Sequence, residues 1–353
     1  MASKTASKPA SKSRSSAKRS KPKAKKETTA GKTAKTKAVG KSTKAVKPKK
    51  PVKSKPVKSK ATAKPRRSRA KLRPPRPEDA EALGLICYEA FKALNDYHRF
   101  PPDFPAPEAA QGPIAMMISR PDVFYGVVAE LDGRVVGSNF MSRGDSVHGV
   151  GPITVDPEVQ NSSIGRALMQ DVMAQSEKLG AAGIRLVQAA FHNRSLSLYT
   201  KLGFDVREPL SAIFGPAINR QLPGFKVRQA TRKDIPACNA LHEQLHGYRR
   251  AQDLIDAVDQ GTASVVERDG EIVGYATSIA FFGSAIATDN DALKALIAAA
   301  PELSHPGFLL PTRNAEVMRW CLANGLRVMQ PLNLMTKGLY NEPRGAFLPS
   351  ILF

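Results

Sequence analysis

Between residues 153 and 168 the chain gathers residue types suited to holding a diphosphate. Ile153-Thr154-Val155 is β-branched, Asp156-Pro157 begins a turn, and Gln160-Asn161-Ser162-Ser163-Ile164-Gly165-Arg166 leads into a helix whose apolar positions Ile164, Leu168, Val172 and Leu179 share one face. The first N–H groups of a helix have no partner within it and sit at the positive end of its dipole. A turn that opens such a helix binds anions, and small residues let phosphate oxygens approach its backbone. Ser162, Ser163 and Gly165 are those small residues. Further along, Asn193 precedes a short helical stretch, Tyr199 lies within it, and Gly203-Phe204 ends it and opens a strand. A tyrosine so placed can donate a proton to a departing anion. It also reads as packing, on one buried face with Leu196 and Leu202, with Gly203 as the helix stop.

Together the two segments resemble the acyl-CoA site of the GNAT N-acetyltransferase superfamily. The family pattern Gln/Arg-x-x-Gly-x-Gly/Ala is met by Gln160, Gly165 and the spacing, while Ser163 replaces the first glycine. The resemblance implies acetyl-CoA as co-substrate, its pyrophosphate on the turn from Gln160 through Asn161, Ser162, Ser163, Ile164 and Gly165 to Arg166. Ile153, Thr154 and Val155 would flank the pantetheine arm, Asn193 would hydrogen-bond it, and Tyr199 would protonate the departing thiolate. The upstream turn, at the family's distance, favours that role for Tyr199 over packing alone. Direct attack of a neutral primary amine on the thioester is also implied, with a backbone N–H near Val155 polarising the carbonyl. Glu130, Asp145, His148 and Asp156 are candidates for the base, with His148 carried forward. Each also reads as a turn or strand-edge residue, Asp156 as the cap of the turn before Pro157. Acceptor selectivity would come from Asn95 to Phe104, where the family varies. There Tyr97 and Phe100 either receive a cationic amine or pack a proline-bounded loop.

The elements that must position these residues recur along the chain. Leu72 to Asp79 echoes Val227 to Asp234, and Val128 to Gly137 echoes Val265 to Gly274, each with a hairpin turned at Asp-Gly. The expected fold class is α/β (α+β): two tandem GNAT folds, each a mixed, mainly antiparallel sheet flanked by helices. Residues 71–214 would form the acetyl-CoA-binding domain, 215–225 a linker, and 226–353 a degenerate GNAT-like domain. The second copy lacks the glycine pattern between Ser278 and Ala300 and places Trp320 and Cys321 where Tyr199 corresponds, although Gly325-Leu326 matches Gly203-Phe204. Pro152 conflicts with a regular central strand, but the family strand at that place is bulged and splays. The apolar end, Phe347 to Phe353, is expected to dock as a strand.

Charge is concentrated at the beginning. Residues 1–70 hold 26 of the 54 Lys and Arg but one of the 31 Asp and Glu, so the net +23 resides entirely there. With no aromatic residue and much Ser, Ala, Thr and Pro, this segment is expected to be disordered. Its composition resembles the tails of histone-H1-like proteins, which implies salt-dependent, non-specific nucleic-acid binding; a solvated tail without a partner is the other reading. No apolar run reaches the length of a membrane span and no secretory signal is present, so a cytoplasmic location, with nucleoid association if the tail binds nucleic acid, is expected. Three scattered cysteines and six histidines without metal spacing imply neither disulfide nor metal. Two other functional classes stay open: a nucleic-acid-associated protein working through its tail, and a non-catalytic acyl-CoA-binding regulator.

Overall fold

Arg73 and Arg228 begin two runs of structure built alike. In the first, β1 (Lys71–Arg73) leads through a 3-10 turn to α1 (Ala80–His98), α2 (Pro107–Ser119), β2 (Phe124–Leu131), β3 (Arg134–Ser142), β4 (Val147–Val155), α3 (Ile164–Lys178), β5 (Gly183–Ala189), α4 (Asn193–Lys201) and β6 (Asp205–Phe214). In the second, β7 (Lys226–Gln229) is followed by α5 (Ile235–His246), α6 (Gln252–Asp259), β8 (Ser264–Arg268), β9 (Glu271–Ala276), β10 (Ala285–Ala287), α7 (Asn290–Ala299), β11 (Phe308–Pro311), α8 (Ala315–Ala323), β12 (Arg327–Gly338) and β13 (Ala346–Leu348). The computed structural model describes residues 70–352; the basic segment before Ala70, with the expectations placed on it, lies outside the described residues, as does Phe353.

The sequence echoes fold into the same corner twice. Arg73 forks onto Asp79 at 2.7 and 2.8 Å and reaches Glu130 at 2.9 Å; Arg228 forks onto Asp234 at 2.8 Å through both nitrogens and reaches Glu267 at 2.7 Å. Both Asp-Gly pairs turn their hairpins in the left-handed region, with φ of +51° and +79° at Asp132-Gly133 and +54° and +87° at Asp269-Gly270. The glycine takes that conformation without a Cβ clash.

The strands form two sheets, ordered β1-β2-β3-β4-β5-β12-β6-β11 and β13-β10-β9-β8-β7. All ladders are antiparallel except β4 with β5. With helices packed against these sheets the architecture is the expected mixed α/β class. Strand β12, from the second run, lies between β5 and β6 of the first: Leu332 faces Ala189, Gly338 faces Gly183, and Arg327 faces Phe214. The cores cross in the same way. Met335 of β12 packs with Val150, Leu168 and Tyr199, while Ile213 of β6 packs with Leu296, Phe308 and Cys321.

Helices bury the faces their spacing dictates. Ala110, Ile114 and Met117 of α2 meet Leu83 and Cys87 of α1 over Phe140. A Cβ on Gly84 would come within 2.4 Å of Gln111, so glycine is what allows α1 and α2 to touch. On α3, Ile164, Leu168 and Val172 are buried as expected, but the helix ends at Lys178 and Leu179 is exposed; Ser176 takes the buried place. All three cysteines are buried and free. Among the described residues no helix is long and apolar enough to cross a membrane.

Candidate active site

Strands β4 and β5 pair from Val147 opposite Gly183 to Val150 opposite Leu186, and then part. Pro152 has no N–H to offer the ladder, which ends the pairing on that side. On the other side Ile153, Thr154 and Val155 still face Asn139, Ser138 and Gly137 of β3, and a bulge between Asn139 and Met141 absorbs the change of register. The result is a gap between two sheet strands, continuous with a cavity of about 680 Å³.

Every residue carried forward for cofactor binding lines this cavity: Ile153, Thr154 and Val155 on β4, the turn from Gln160 through Arg166, and Asn193 and Tyr199 on α4. The turn is held from below. Asp156 accepts the Glu158 N–H at 2.9 Å and pairs with Arg134 at 2.7 Å; the Gln160 amide donates to the Val155 carbonyl at 3.1 Å and its oxygen accepts from Arg194. No side chain caps the N-terminus of α3, so its first N–H groups face the cavity with no acidic residue in the first turn. Arg166, Arg194 and Lys201 add positive charge around the opening. Gly165 is not demanded by the fold, since a Cβ there would meet only Val155 and Leu198 at 3.8 and 3.9 Å. What its small size serves is the space in front of it. Ser163 has φ of +70°, the left-handed conformation that glycine accepts and L-residues resist, which explains why a glycine suits this position and what its replacement costs.

Tyr199 is 7% exposed and touches Phe204, with ring centroids 6.2 Å apart. Both readings of it therefore hold, because it packs in the core and also lines the cavity. Burial pushes its phenol above the ordinary value, so it stays protonated across the neutral range and is able to donate.

The other candidates fall elsewhere. His148, on β4 itself, is buried against α3, with Nδ1 3.0 Å from Ser176 Oγ, and it does not line the cavity. Burial and Arg143 hold its imidazole below the ordinary value. Glu130 is tied to Arg73, Asp156 to Arg134, and Asp145 accepts the Ala251 N–H, so none of the four reaches the gap. Tyr97 is 83% exposed at the end of α1, and Phe100 stacks on Phe191 with centroids 4.1 Å apart; neither lines the cavity. The segment from Asn95 to Phe104 contributes Asp103 and Phe104 instead. Among the described residues Asp103 is the one acidic residue lining the cavity, and burial raises its carboxyl above the ordinary value. Also lining it are His192, kept neutral by burial and by Arg194 at about 4, and Gln330, Phe281, Phe282 and Leu352 from the second run. Sequence reasoning had no signal for Gln330, Phe281 and Phe282, which are distant in the chain and match no motif, whereas Leu352 lies in the apolar end expected to dock.

The equivalent place in the second run is closed. Strand β13 pairs with β10, Leu348 opposite Ala285 and Ala346 opposite Ala287, where a gap would lie. Helix α7 is capped by Asp289, whose carboxylate accepts the Ala292 N–H at 2.9 Å. A fixed negative charge at that helix start excludes a phosphate.

Residues 88–204 match the model of the Acetyltransferase (GNAT) family, which makes that stretch a GNAT domain. The fold resembles that of a Pyrococcus horikoshii protein described as a candidate acetyltransferase, at 16% identity and a TM-score of 0.62 over 80% of this chain and 94% of that one. It also resembles a GCN5-related N-acetyltransferase from Sphaerobacter thermophilus, at 16% identity and a TM-score of 0.53 over 78% of this chain and 98% of that one. No curated protein matches the chain.

Proposed function

We propose that the protein is an acetyl-CoA-dependent N-acetyltransferase acting on a primary amine. The observation that carries this reading is one continuous cavity that joins the uncapped start of α3, the β4/β5 gap and Tyr199. Acetyl-CoA would supply the activated acetyl group. Residues 160–166 would hold its pyrophosphate through backbone N–H groups, the unpaired edge of Ile153 to Val155 would bind the pantetheine amides, and Asn193 would fix the arm at the other wall. Tyr199 would hold the proton passed to the thiolate. On this reading residues 71–214 are the catalytic GNAT domain, 215–225 the join, and 226–353 a second GNAT fold that has lost its own gap and completes the pocket of the first.

Calorimetric titration of acetyl-CoA into the full chain tests it. One-to-one binding, abolished by Gly165→Glu without loss of the folded state, is expected; wild-type protein that does not bind overturns the reading. For residues 1–70 the proposal stays electrostatic: non-specific binding to nucleic acid that weakens steeply with salt, in a cytoplasmic protein.

A further inference from the structure

Part of the cavity lining is apolar. Phe91 of α1, Phe104 of the following loop and Ile114 of α2 contribute to it, packed with Leu352, and Phe281 and Phe282 of the second run contribute as well. Into this space comes Asp103. Its carboxylate accepts a hydrogen bond from Gln330 Nε2 at 2.9 Å and lies beside the Asn95 amide. Gln330 stands just past the bulge in β12 between Val328 and Gln330, which re-aims the strand there. The Gln330 oxygen is buried without a hydrogen-bond partner. Among the described residues no arginine or lysine forms an ion pair with Asp103.

A desolvated carboxylate with no arginine or lysine paired to it, beside the orphaned Gln330 oxygen, is an incomplete site. What completes it is a positive group with several N–H donors, and the surrounding walls require that its body be apolar. We propose that the acceptor is a monoamine with an alkyl or aryl body, its ammonium group received by Asp103 and Gln330. This rests on the transferase reading and gives the second run a function in it, since Gln330 and part of the apolar lining come from there. A longer acyl chain would fill the same apolar space, yet it would bring no donor to Asp103. A polyamine or a lysine side chain within a peptide would bring further polar groups into contact with phenylalanines.

The test is steady-state release of CoA thiol by the full chain, with hexylamine and phenethylamine set against ethanolamine, putrescine and a lysine-containing peptide. The apolar monoamines are expected to exceed the others in kcat/KM by about tenfold or more, the discrimination that desolvating a second polar group imposes. Asp103→Asn is expected to raise the amine KM by about ten- to a hundredfold, from loss of a charge-assisted hydrogen bond, with acetyl-CoA affinity unchanged. Asp103→Glu should recover part of it. Phe282→Asp, at the exposed rim where folding is not at stake, should erode the preference for apolar amines. An unchanged amine KM in Asp103→Asn, a preference for putrescine or the peptide, or selection for hexanoyl-CoA with indifference to the amine would each overturn the inference while leaving the transferase reading in place. Failure to bind acetyl-CoA at all would overturn that reading itself, and this inference with it.

Discussion

Replacing Tyr199 by phenylalanine separates its two roles. The ring packs among Val150, Leu168, Phe204 and Met335, and phenylalanine keeps all of that. The hydroxyl makes no hydrogen bond to another described residue, so removing it breaks none and leaves no orphan behind. A stability change within about 0.5 kcal/mol follows, in either direction. Catalysis should respond very differently. If the phenol protonates the departing thiolate, its loss costs the general-acid factor of about 10²–10⁴ in kcat, equivalent to about 2.7–5.4 kcal/mol on the barrier. Urea denaturation gives the first quantity and CoA-thiol release the second, with acetyl-CoA affinity as a control expected to stay within about twofold. A variant that keeps more than a third of wild-type kcat would show that Tyr199 is packing alone. A variant that loses both rate and stability in parallel would mean that the hydroxyl holds the core, which contradicts its lack of partners.

Three further outcomes follow from the geometry. Ser163→Gly relieves a left-handed serine worth about 1–2 kcal/mol against a glycine entropy cost of about 0.5–1, so a net gain of about 0.5–1 kcal/mol is expected, read as a melting temperature higher by about 1–3 °C with acetyl-CoA affinity preserved or improved. His242 and His246, both buried, are held neutral at about 4 and about 2, by burial first and then by Arg250 and Arg185 with one another. Because the unfolded chain protonates them near 6.5 and the native one does not, stability should be complete above that pH and fall on acidification towards 4, by up to about 2.7 kcal/mol per pH unit when both contribute. Denaturation midpoints at pH 7.5, 6 and 5 read the slope; a flat profile would show that both protonate in place. Glu208 is fully buried on β6 and chelated by Arg313 at 2.8 and 3.0 Å, so Arg313→Ala should cost about 2–3 kcal/mol in urea titration, at the low end for a broken buried pair because Arg313 is itself half-exposed. Adding Glu208→Gln should restore most of it.

Local chemistry was legible in the sequence wherever neighbouring residues carry it. The turn around Gln160 to Arg166, the Asp-Gly hairpins, the echo of Arg73 and Asp79 in Arg228 and Asp234, and the ladder break at Pro152 all depend on residues close in the chain or on backbone rules tied to residue type. His148 shows where that ends. Alternation assigns a face only when one side of a strand meets water, and Val147 to Val150 are all buried because β4 is covered on both sides. Tyr97 falls outside the cavity for a simpler reason: α1 runs on to His98 before the left-handed turn at Arg99, and the helical phase carries Tyr97 to solvent. Asp103 was within the segment singled out, but its meaning depends on Gln330, 227 residues away, and nothing in a strand's composition says which sheet it will join.

β12 is hydrogen-bonded along both edges to strands of the first run, so the sheet that holds β5 and β6 is completed by a strand from the second run. Without β12, β5 and β6 would present two rows of unpaired N–H and C=O groups and expose Leu186 and Leu210, the surface of an aggregation-prone edge. Leu332, Leu334 and Met335 supply apolar area that the first run lacks, and the same strand delivers Gln330 to the cavity. The second run is therefore bound to the first by sheet pairing, by core packing and, on the proposed reading, by substrate contact. In the second run β13 pairs with β10 and Asp289 caps α7, so neither an open strand gap nor an uncapped helix start is left there.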